Sequence, residues 1–125
     1  MLLQSKIPKL TIPIITQIVS DAAPESPSIK AVGIVGSFAR GEETPYSDVD
    51  IIVKYIPDTA FQSILENFGA YVEHVLDYQF NRRLDVVRYD LAAYRAAMPP
   101  KNIENWYCQN SYTQMLKEVR WIYER

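Results

Sequence analysis

Apolar residues recur along the chain at two different spacings, which predict alternating helices and strands. Between residues 12 and 22 they fall three or four positions apart, and this stripe consists of Ile14, Ile15, Ile18, Val19 and Ala22. The spacing predicts an amphipathic helix, which Thr11 can cap and whose first turn tolerates Pro13. A longer stripe predicts one helix over roughly residues 58 to 80, formed by Ile64, Leu65, Phe68, Val72, Val75 and Leu76.

Three shorter apolar runs, rich in residues that favour extended structure, predict strands. Ile29 to Val35 and Asp48 to Tyr55 flank a polar loop, and "RLDVVRY" is the third strand. "LAAYRAAM" predicts a short helix that ends at Pro99 and Pro100, because proline lacks the N–H that helical pairing needs. A last stripe predicts a C-terminal helix and consists of Tyr112, Met115, Leu116, Val119, Ile122 and Tyr123.

The predicted order of elements is α-β-β-α-β-α-α, with little sequence between the first two strands. Strands joined by a short connection are usually antiparallel, so we predict an α/β fold with a small mixed β-sheet packed by helices. The chain has 125 residues, enough for one core and too few for a second domain of usual size. We therefore predict a single domain spanning residues 1–125.

Composition and charge exclude several classes of function. Thirteen Lys and Arg residues stand against fifteen Asp and Glu residues, a net charge of −2, so we expect no nucleic-acid template. A single cysteine, Cys108, and a single histidine, His74, make a disulfide or a zinc site improbable. No apolar run approaches the roughly 20 residues that cross a bilayer, and no signal peptide begins the chain, so we expect a cytoplasmic protein without membrane association.

The polar stretch "GSFARGEETPYSDVD" contains the candidate chemistry. Side chains alternate across a strand, so Asp48 and Asp50 should lie on one face, where they would repel each other and favour a proton or a divalent cation. Asp85, in "RLDVV", would join them if its strand lies beside that of Asp48. Each of the three carboxylates has the plainer alternative of facing solvent.

A glycine-serine pair at the end of a strand, followed by a short helical turn, offers backbone N–H groups and a hydroxyl to phosphate oxygens. We predict that Gly36 lets the backbone approach closely, that Ser37 binds phosphate and that Arg40 adds positive charge. A surface ion pair with Glu42 or Glu43 is the alternative for Arg40.

These residues together resemble a known signature. Gly36-Ser37, ten further residues and then Asp48-Val49-Asp50 is similar to the GSX10DXD motif of minimal nucleotidyltransferases of the polymerase-β-like superfamily, specifically the MntA-type antitoxins. The later strand "LDVV", which contains Asp85, also resembles that family. The resemblance implies the nucleotidyltransferase fold, ATP as substrate and Mg²⁺ as cofactor. It further implies transfer of AMP to a tyrosine of a HEPN-type toxin, HepT, with release of pyrophosphate.

In the mechanism that we expect, Asp48 and Asp50 bind metal, and Asp85 shares a metal and helps to deprotonate the acceptor hydroxyl. Two alternatives remain: a small-molecule nucleotidyltransferase of the antibiotic-modifying kind, and a catalytically silent antitoxin that binds its toxin. We also predict Trp121 on the exposed side of the last helix, where it either docks the toxin or a second copy of the chain, or folds back onto Trp106 or the "AMPP" turn. The preferred base and the oligomeric state, homo- or hetero-oligomer, stay open.

Overall fold

A computed structural model describes residues 8–56, 61–90, 95–97 and 116–125. Within these residues the strands form a five-stranded sheet in the order β4-β3-β2-β1-β5. The helices are α1 (Ile12–Ala22), α2 (Gly36–Arg40) and α3 (Phe61–Phe80), with a 3₁₀ turn at Ala23–Glu25. The strands are β1 (Ile29–Val35), β2 (Val49–Tyr55), β3 (Leu84–Asp90), β4 (Arg95–Ala97) and β5 (Arg120–Glu124).

The sheet is mixed, as the short connection between the first two strands predicted. β1 pairs antiparallel with β2 and with β5, whereas β2 pairs parallel with β3 and β3 pairs antiparallel with β4. This arrangement brings the carboxyl end of β1 and the amino ends of β2, β3 and β5 to the same end of the sheet, where these strands begin or terminate. Residues that follow β1 or begin β2 and β3 are therefore neighbours in space.

The two predicted amphipathic helices cover one face of the sheet. The Thr11 hydroxyl accepts a hydrogen bond from the Ile14 N–H at 3.4 Å and caps α1 as predicted. α3 continues through Gly69 as one helix, and the start predicted near residue 58 lies outside the described residues. The buried members of the two predicted stripes are Ile15, Ile18, Val19, Phe68, Val72 and Leu76. The side chains of Ile64 and Leu65 lie outside the described part.

The predicted short helix over "LAAYRAAM" is wrong where the chain is described. Arg95–Ala97 forms β4, in which Ala97 lies opposite Arg88 and Arg95 lies opposite Asp90. Alanine favours helices, but the preference is a fraction of a kcal/mol per residue, and pairing with the free edge of β3 outweighs it here. Residues 91–94 and 98 lie outside the described part of the chain.

The predicted C-terminal helix is also wrong over most of its described length. Residues 116–118 are helical, but Arg120–Glu124 forms β5 on the other edge of the sheet, against β1. The run Val-Arg-Trp-Ile-Tyr is rich in residues that favour strands, and a short apolar run fits either period. Tyr112 and Met115, together with Cys108, lie outside the described residues.

Trp121 does not lie on an exposed helix face, and that prediction is corrected. Its ring is partly buried over Gly33 of β1, where a Cβ atom would come within 2.9 Å of the ring carbon Cε3. The Lys54 ammonium lies 4.4 Å from the ring centroid, a distance suited to a cation–π contact. Trp121 therefore packs within its own sheet, together with Val119 and Ile52.

The C-terminal Arg125 ties β5 to the turn before β1. Its Nη2 group donates to the carbonyl oxygens of Ala23, Pro24 and Ser26 at 2.9 to 3.2 Å, and its Nε donates to that of Ile29 at 3.1 Å. The planar guanidinium can serve several carbonyl groups at once, which the single ammonium of lysine does less well. Arg125 therefore caps carbonyl groups of its own chain.

We expect Arg125→Ala to lower the free energy of unfolding by about 2 kcal/mol, since several charge-assisted hydrogen bonds are lost and their acceptors are partly buried. Urea denaturation measures the change. Arg125→Lys is the matched variant, because it retains the positive charge and loses the several N–H donors of the planar guanidinium. Equal stability of Arg125→Lys and the wild type would attribute the effect to charge alone and would contradict the capping role.

Candidate active site

The sheet brings the predicted carboxylates together at the end where β2 and β3 begin. Asp50 on β2 lies directly opposite Asp85 on β3, and Asp48 precedes β2 by one residue. The neighbours of these residues in sequence, such as Val49 and Ile51, pack under the helices. Because side chains alternate, Asp50 and Asp85 lie on the face of the sheet away from α1 and α3. The sequence predicted that Asp85 would join the other carboxylates if its strand lay beside the strand after Asp48, and the parallel pairing of β2 with β3 places it there.

The pKa of Asp50 is raised to about 7, and burial of its carboxyl group is the largest cause. The charge of Asp85, a side-chain hydrogen bond with Asp85 and the charge of Asp48 raise this pKa further, whereas the charge of Arg40 lowers it. The sequence predicted that one carboxyl group would tend to hold a proton, and the raised pKa agrees. The prediction attributed the proton to repulsion between Asp48 and Asp50, however, whereas burial and Asp85 raise the pKa of Asp50 more than Asp48 does.

The donor set fits a divalent cation in its chemistry. Carboxylate oxygens are the hard ligands that Mg²⁺ prefers, and a bound cation would relieve the repulsion that raises the pKa of Asp50. In the part of the chain that the structure describes, no three His, Cys, Asp or Glu side chains are grouped closely enough to form a metal site as they stand. The close contact is the pair Asp50 and Asp85, with Asp48 acting on it through its charge.

The glycine-serine turn lies directly beside this pair. It forms α2, a short helix that begins at Gly36, ends at Arg40 and is capped by Gly41 in the left-handed conformation. Gly36 has φ of +73°, and a Cβ atom there would collide with the Asp50 carboxylate. A glycine is therefore needed at this position for two independent reasons, backbone conformation and space. Ser37 follows it as a partly buried residue of the turn.

Arg40, at the end of α2, contacts two carboxylates. Its Nε donates to Glu42 at 2.8 Å, which is the surface ion pair considered as its alternative role. Its Nη1 donates to both oxygens of Glu118 at 3.1 Å. Hydrogen bonds to these two glutamates raise the pKa of Arg40. Arg40 is also close enough to Asp50 to lower the pKa of that carboxyl group, so it contributes positive charge to the site.

Glu118 is a residue of this region that the sequence did not indicate. Its carboxylate accepts a hydrogen bond from the Gly36 N–H at 2.6 Å, across 82 positions of sequence. Glu118 lies in a stretch predicted as helix, on the polar side of the apolar stripe, where a glutamate has no distinguishing feature. Only the pairing of β5 with β1 brings it to the turn.

A cavity of about 750 Å³ opens beside Asp48, in the size range of ligand pockets. Its lining includes Leu10, Tyr46, Asp48, Phe80, Arg82 and Arg83. Arg82 is partly held in place, because its Nη1 donates to the Ser47 carbonyl at 3.1 Å. His74, by contrast, is exposed on α3 and stacks on Tyr78 at 5.8 Å between ring centroids.

Comparison with known proteins identifies the family. Residues 13–122 match the nucleotidyltransferase domain. The chain belongs to the nucleotidyltransferase domain family. No curated protein matches its sequence significantly. None of the described helices has both the length and the apolar character needed to cross a membrane.

Solved structures resemble this nucleotidyltransferase at low sequence identity. A toxin-antitoxin structure with AMP-PNP aligns over 88% of this chain and 73% of that chain, with 14% identity and a TM-score of 0.51. A Sulfolobus solfataricus protein assigned as a nucleotidyltransferase aligns over 88% of this chain and 77% of that chain, with 18% identity and a TM-score of 0.44. At 14% identity the likeness to the toxin-antitoxin structure concerns the fold alone.

Proposed function

We propose that this nucleotidyltransferase transfers AMP from ATP to a hydroxyl group of a protein and thereby acts as an antitoxin, with a tyrosine of a HEPN-type toxin as the acceptor. The observation that supports the catalytic part is the contact between Asp50 and the glycine-serine turn, next to Asp85. A turn suited to phosphate and a pair of carboxylates suited to a cation thus lie side by side at one end of the sheet. The acceptor and the antitoxin role rest on the resemblance to MntA-type proteins.

The residues of the site have different roles in the proposed transfer. Ser37, through its amide and its hydroxyl, holds the phosphates that leave as pyrophosphate. Asp48, Asp50 and Asp85 would hold Mg²⁺, which when bound would neutralise charge at the phosphate under attack. Asp85 is more exposed than Asp50, so it is the carboxylate better placed to take the proton of an incoming hydroxyl.

The cavity beside Asp48 offers space for the acceptor. Tyr46 at its rim has 90% of its surface exposed, and the loop that carries it leads directly into Asp48. Leu10 and Phe80 provide an apolar floor, while Arg82 and Arg83 add positive charge. An aromatic hydroxyl from a second protein matches such a lining better than a strongly hydrated sugar does.

Mass spectrometry of a partner protein that co-purifies with the chain tests the proposal. After incubation with ATP and Mg²⁺, the partner should gain the mass of one AMP at a tyrosine, and Asp50→Asn should abolish the gain. A nucleotide found on small molecules, and not on protein, would favour the antibiotic-modifying alternative. A partner that binds and remains unmodified would favour the silent antitoxin.

Ser37→Ala should weaken the binding of ATP roughly ten- to a hundredfold, because one hydrogen bond to a charged group is worth about 1.5 to 3 kcal/mol. Calorimetric titration with ATP and Mg²⁺ measures the loss. Ser20→Ala, on α1 and away from the turn, is a control for the loss of a hydroxyl group, and it should change ATP binding by less than about threefold. If Ser37→Ala binds ATP as tightly as the wild type, the hydroxyl does not contact phosphate.

A further inference from the structure

Glu118 connects the C-terminal part of the chain to both ends of the glycine-serine turn. Its carboxylate accepts from the Gly36 N–H, at the start of α2, at 2.6 Å and from Arg40 Nη1, at the end of α2, at 3.1 Å. Its side chain is only 11% exposed, which strengthens these charge-assisted hydrogen bonds by limiting competition from water. A single carboxylate thus holds the turn at two points.

The carboxylate is anchored by the sheet and does not extend from a free arm. Glu118 lies two residues before β5, and Arg120 of β5 pairs with Ile34 of β1, just ahead of Gly36. Arg120 Nε also donates to the carbonyl oxygen of Ala39 at 3.0 Å, which adds a second link between this segment and α2. Withdrawing the Glu118 side chain from the turn would leave the Gly36 N–H and a mostly buried carboxylate without these partners.

We infer that Glu118 is a positioning residue for phosphate binding: it fixes the orientation of the turn from which Ser37 contacts the nucleotide. This inference rests on the proposed function of the turn. The alternative is a carboxylate that occupies the phosphate site and must be displaced, and it predicts tighter ATP binding once the Glu118 carboxylate is removed. Because Glu118 engages the Gly36 N–H, the Ser37 amide and hydroxyl are left to serve the phosphates.

The same contact explains how Arg40 participates. Its guanidinium is shared between Glu42, which is exposed, and Glu118, which is not. The ion pair with Glu42 should be worth little, because water screens exposed charges. The pair with Glu118 orients Arg40, whose charge reaches Asp50. Loss of Glu118 should therefore disturb both Gly36 and Arg40, whereas loss of the Glu42 charge should disturb neither.

Three variants of the full chain test this role: Glu118→Ala, Glu118→Gln and the matched control Glu42→Gln. Calorimetry with ATP and Mg²⁺ gives the dissociation constant, and amide hydrogen exchange by NMR reports on the turn itself. We expect Glu118→Ala to weaken ATP binding about ten- to a hundredfold and to speed exchange at Gly36 and Ser37. Glu118→Gln keeps an oxygen for the Gly36 N–H, so it should restore part of both properties. Glu42→Gln should bind ATP within about twofold of the wild type.

The two readouts separate positioning from mere stability. A Glu118→Ala protein that melts earlier, yet binds ATP as the wild type does and shows unchanged exchange at Gly36, would overturn the inference. Tighter ATP binding by either Glu118 variant would also overturn it and would make Glu118 a competitor of phosphate. If the wild type binds no ATP, the proposed function fails, and exchange at Gly36 and Ser37 alone decides whether Glu118 positions the turn. Should Glu118→Ala fail to fold, Glu118→Gln carries the test.

Discussion

Replacing Asp50 with asparagine is expected to abolish nucleotide transfer and at the same time to stabilise the metal-free protein at pH 8. The asparagine side chain has the shape of the protonated carboxyl group and retains a donor for the hydrogen bond with Asp85, but it lacks the charge that a divalent cation requires. Loss of a ligand whose charge stabilises the transition state costs several kcal/mol, so transfer should fall more than about a thousandfold.

The pH dependence of the stabilisation follows from the pKa of Asp50, which is about 7 in the folded protein against an ordinary value of 3.8. Between these pH values the folded protein keeps a proton that the unfolded chain has released, so the free energy of unfolding falls as pH rises through this window. Asparagine has no proton to lose. The advantage of the variant should thus be absent below about pH 4 and complete above about pH 7.

Thermal denaturation at pH 4, 6 and 8 without metal measures this difference. Because Asp50 is only partly buried, screening by water reduces the advantage to on the order of 1 kcal/mol, or about 4 °C in Tm at pH 8. Adding Mg²⁺ should raise the Tm of the wild type and not that of the variant. Asp77→Asn, on the exposed side of α3, is the control and should show neither effect. A wild-type rate of transfer by Asp50→Asn would remove Asp50 from the site.

The features that sequence could predict are those that depend on neighbours along the chain. The cap at Thr11, the strand Ile29–Val35 and the turn after Gly36 all follow from local spacing and residue preference, and the structure has them at those positions. Asp85 was predictable conditionally, because an aspartate flanked by apolar residues in a strand marks one face. Its partner became definite only with the register that sets Asp50 opposite Asp85.

The features that sequence could not predict depend on pairing between distant segments. β5 was mistaken for a helix because Val119, Ile122 and Tyr123 fit a helical period, and only an open edge of β1 turns the segment into a strand. Glu118 follows the same logic, since a glutamate among polar neighbours has no local mark of function. Trp121, predicted on the exposed side of a helix, packs on Gly33 because the segment is extended. Pairing between distant segments thus determines that β5 forms an edge strand and that Glu118 contacts the glycine-serine turn.

Gly36→Ala should disable the site more completely than any change to Ser37. The new methyl group would collide with the Asp50 carboxylate, and φ of +73° disfavours a residue with a Cβ atom. Either the turn or Asp50 must shift, so phosphate binding and the placement of the carboxylate are lost together. We expect ATP binding to fall more than about a hundredfold, with a loss of about 3 kcal/mol in the free energy of unfolding.

Gly41→Ala separates the two causes, because Gly41 has nearly the same φ, +72°, and no atom lies within 4 Å of where its Cβ would be. It should lose about 1 kcal/mol of stability from backbone strain alone and should bind ATP more tightly than Gly36→Ala by at least about tenfold. A double variant, Gly36→Ala with Asp50→Ala, removes the colliding carboxylate and keeps the backbone strain, so it should recover part of the stability and none of the transfer. Equal stability and equal ATP binding in Gly36→Ala and Gly41→Ala would mean that contact with Asp50 is not what requires glycine at position 36.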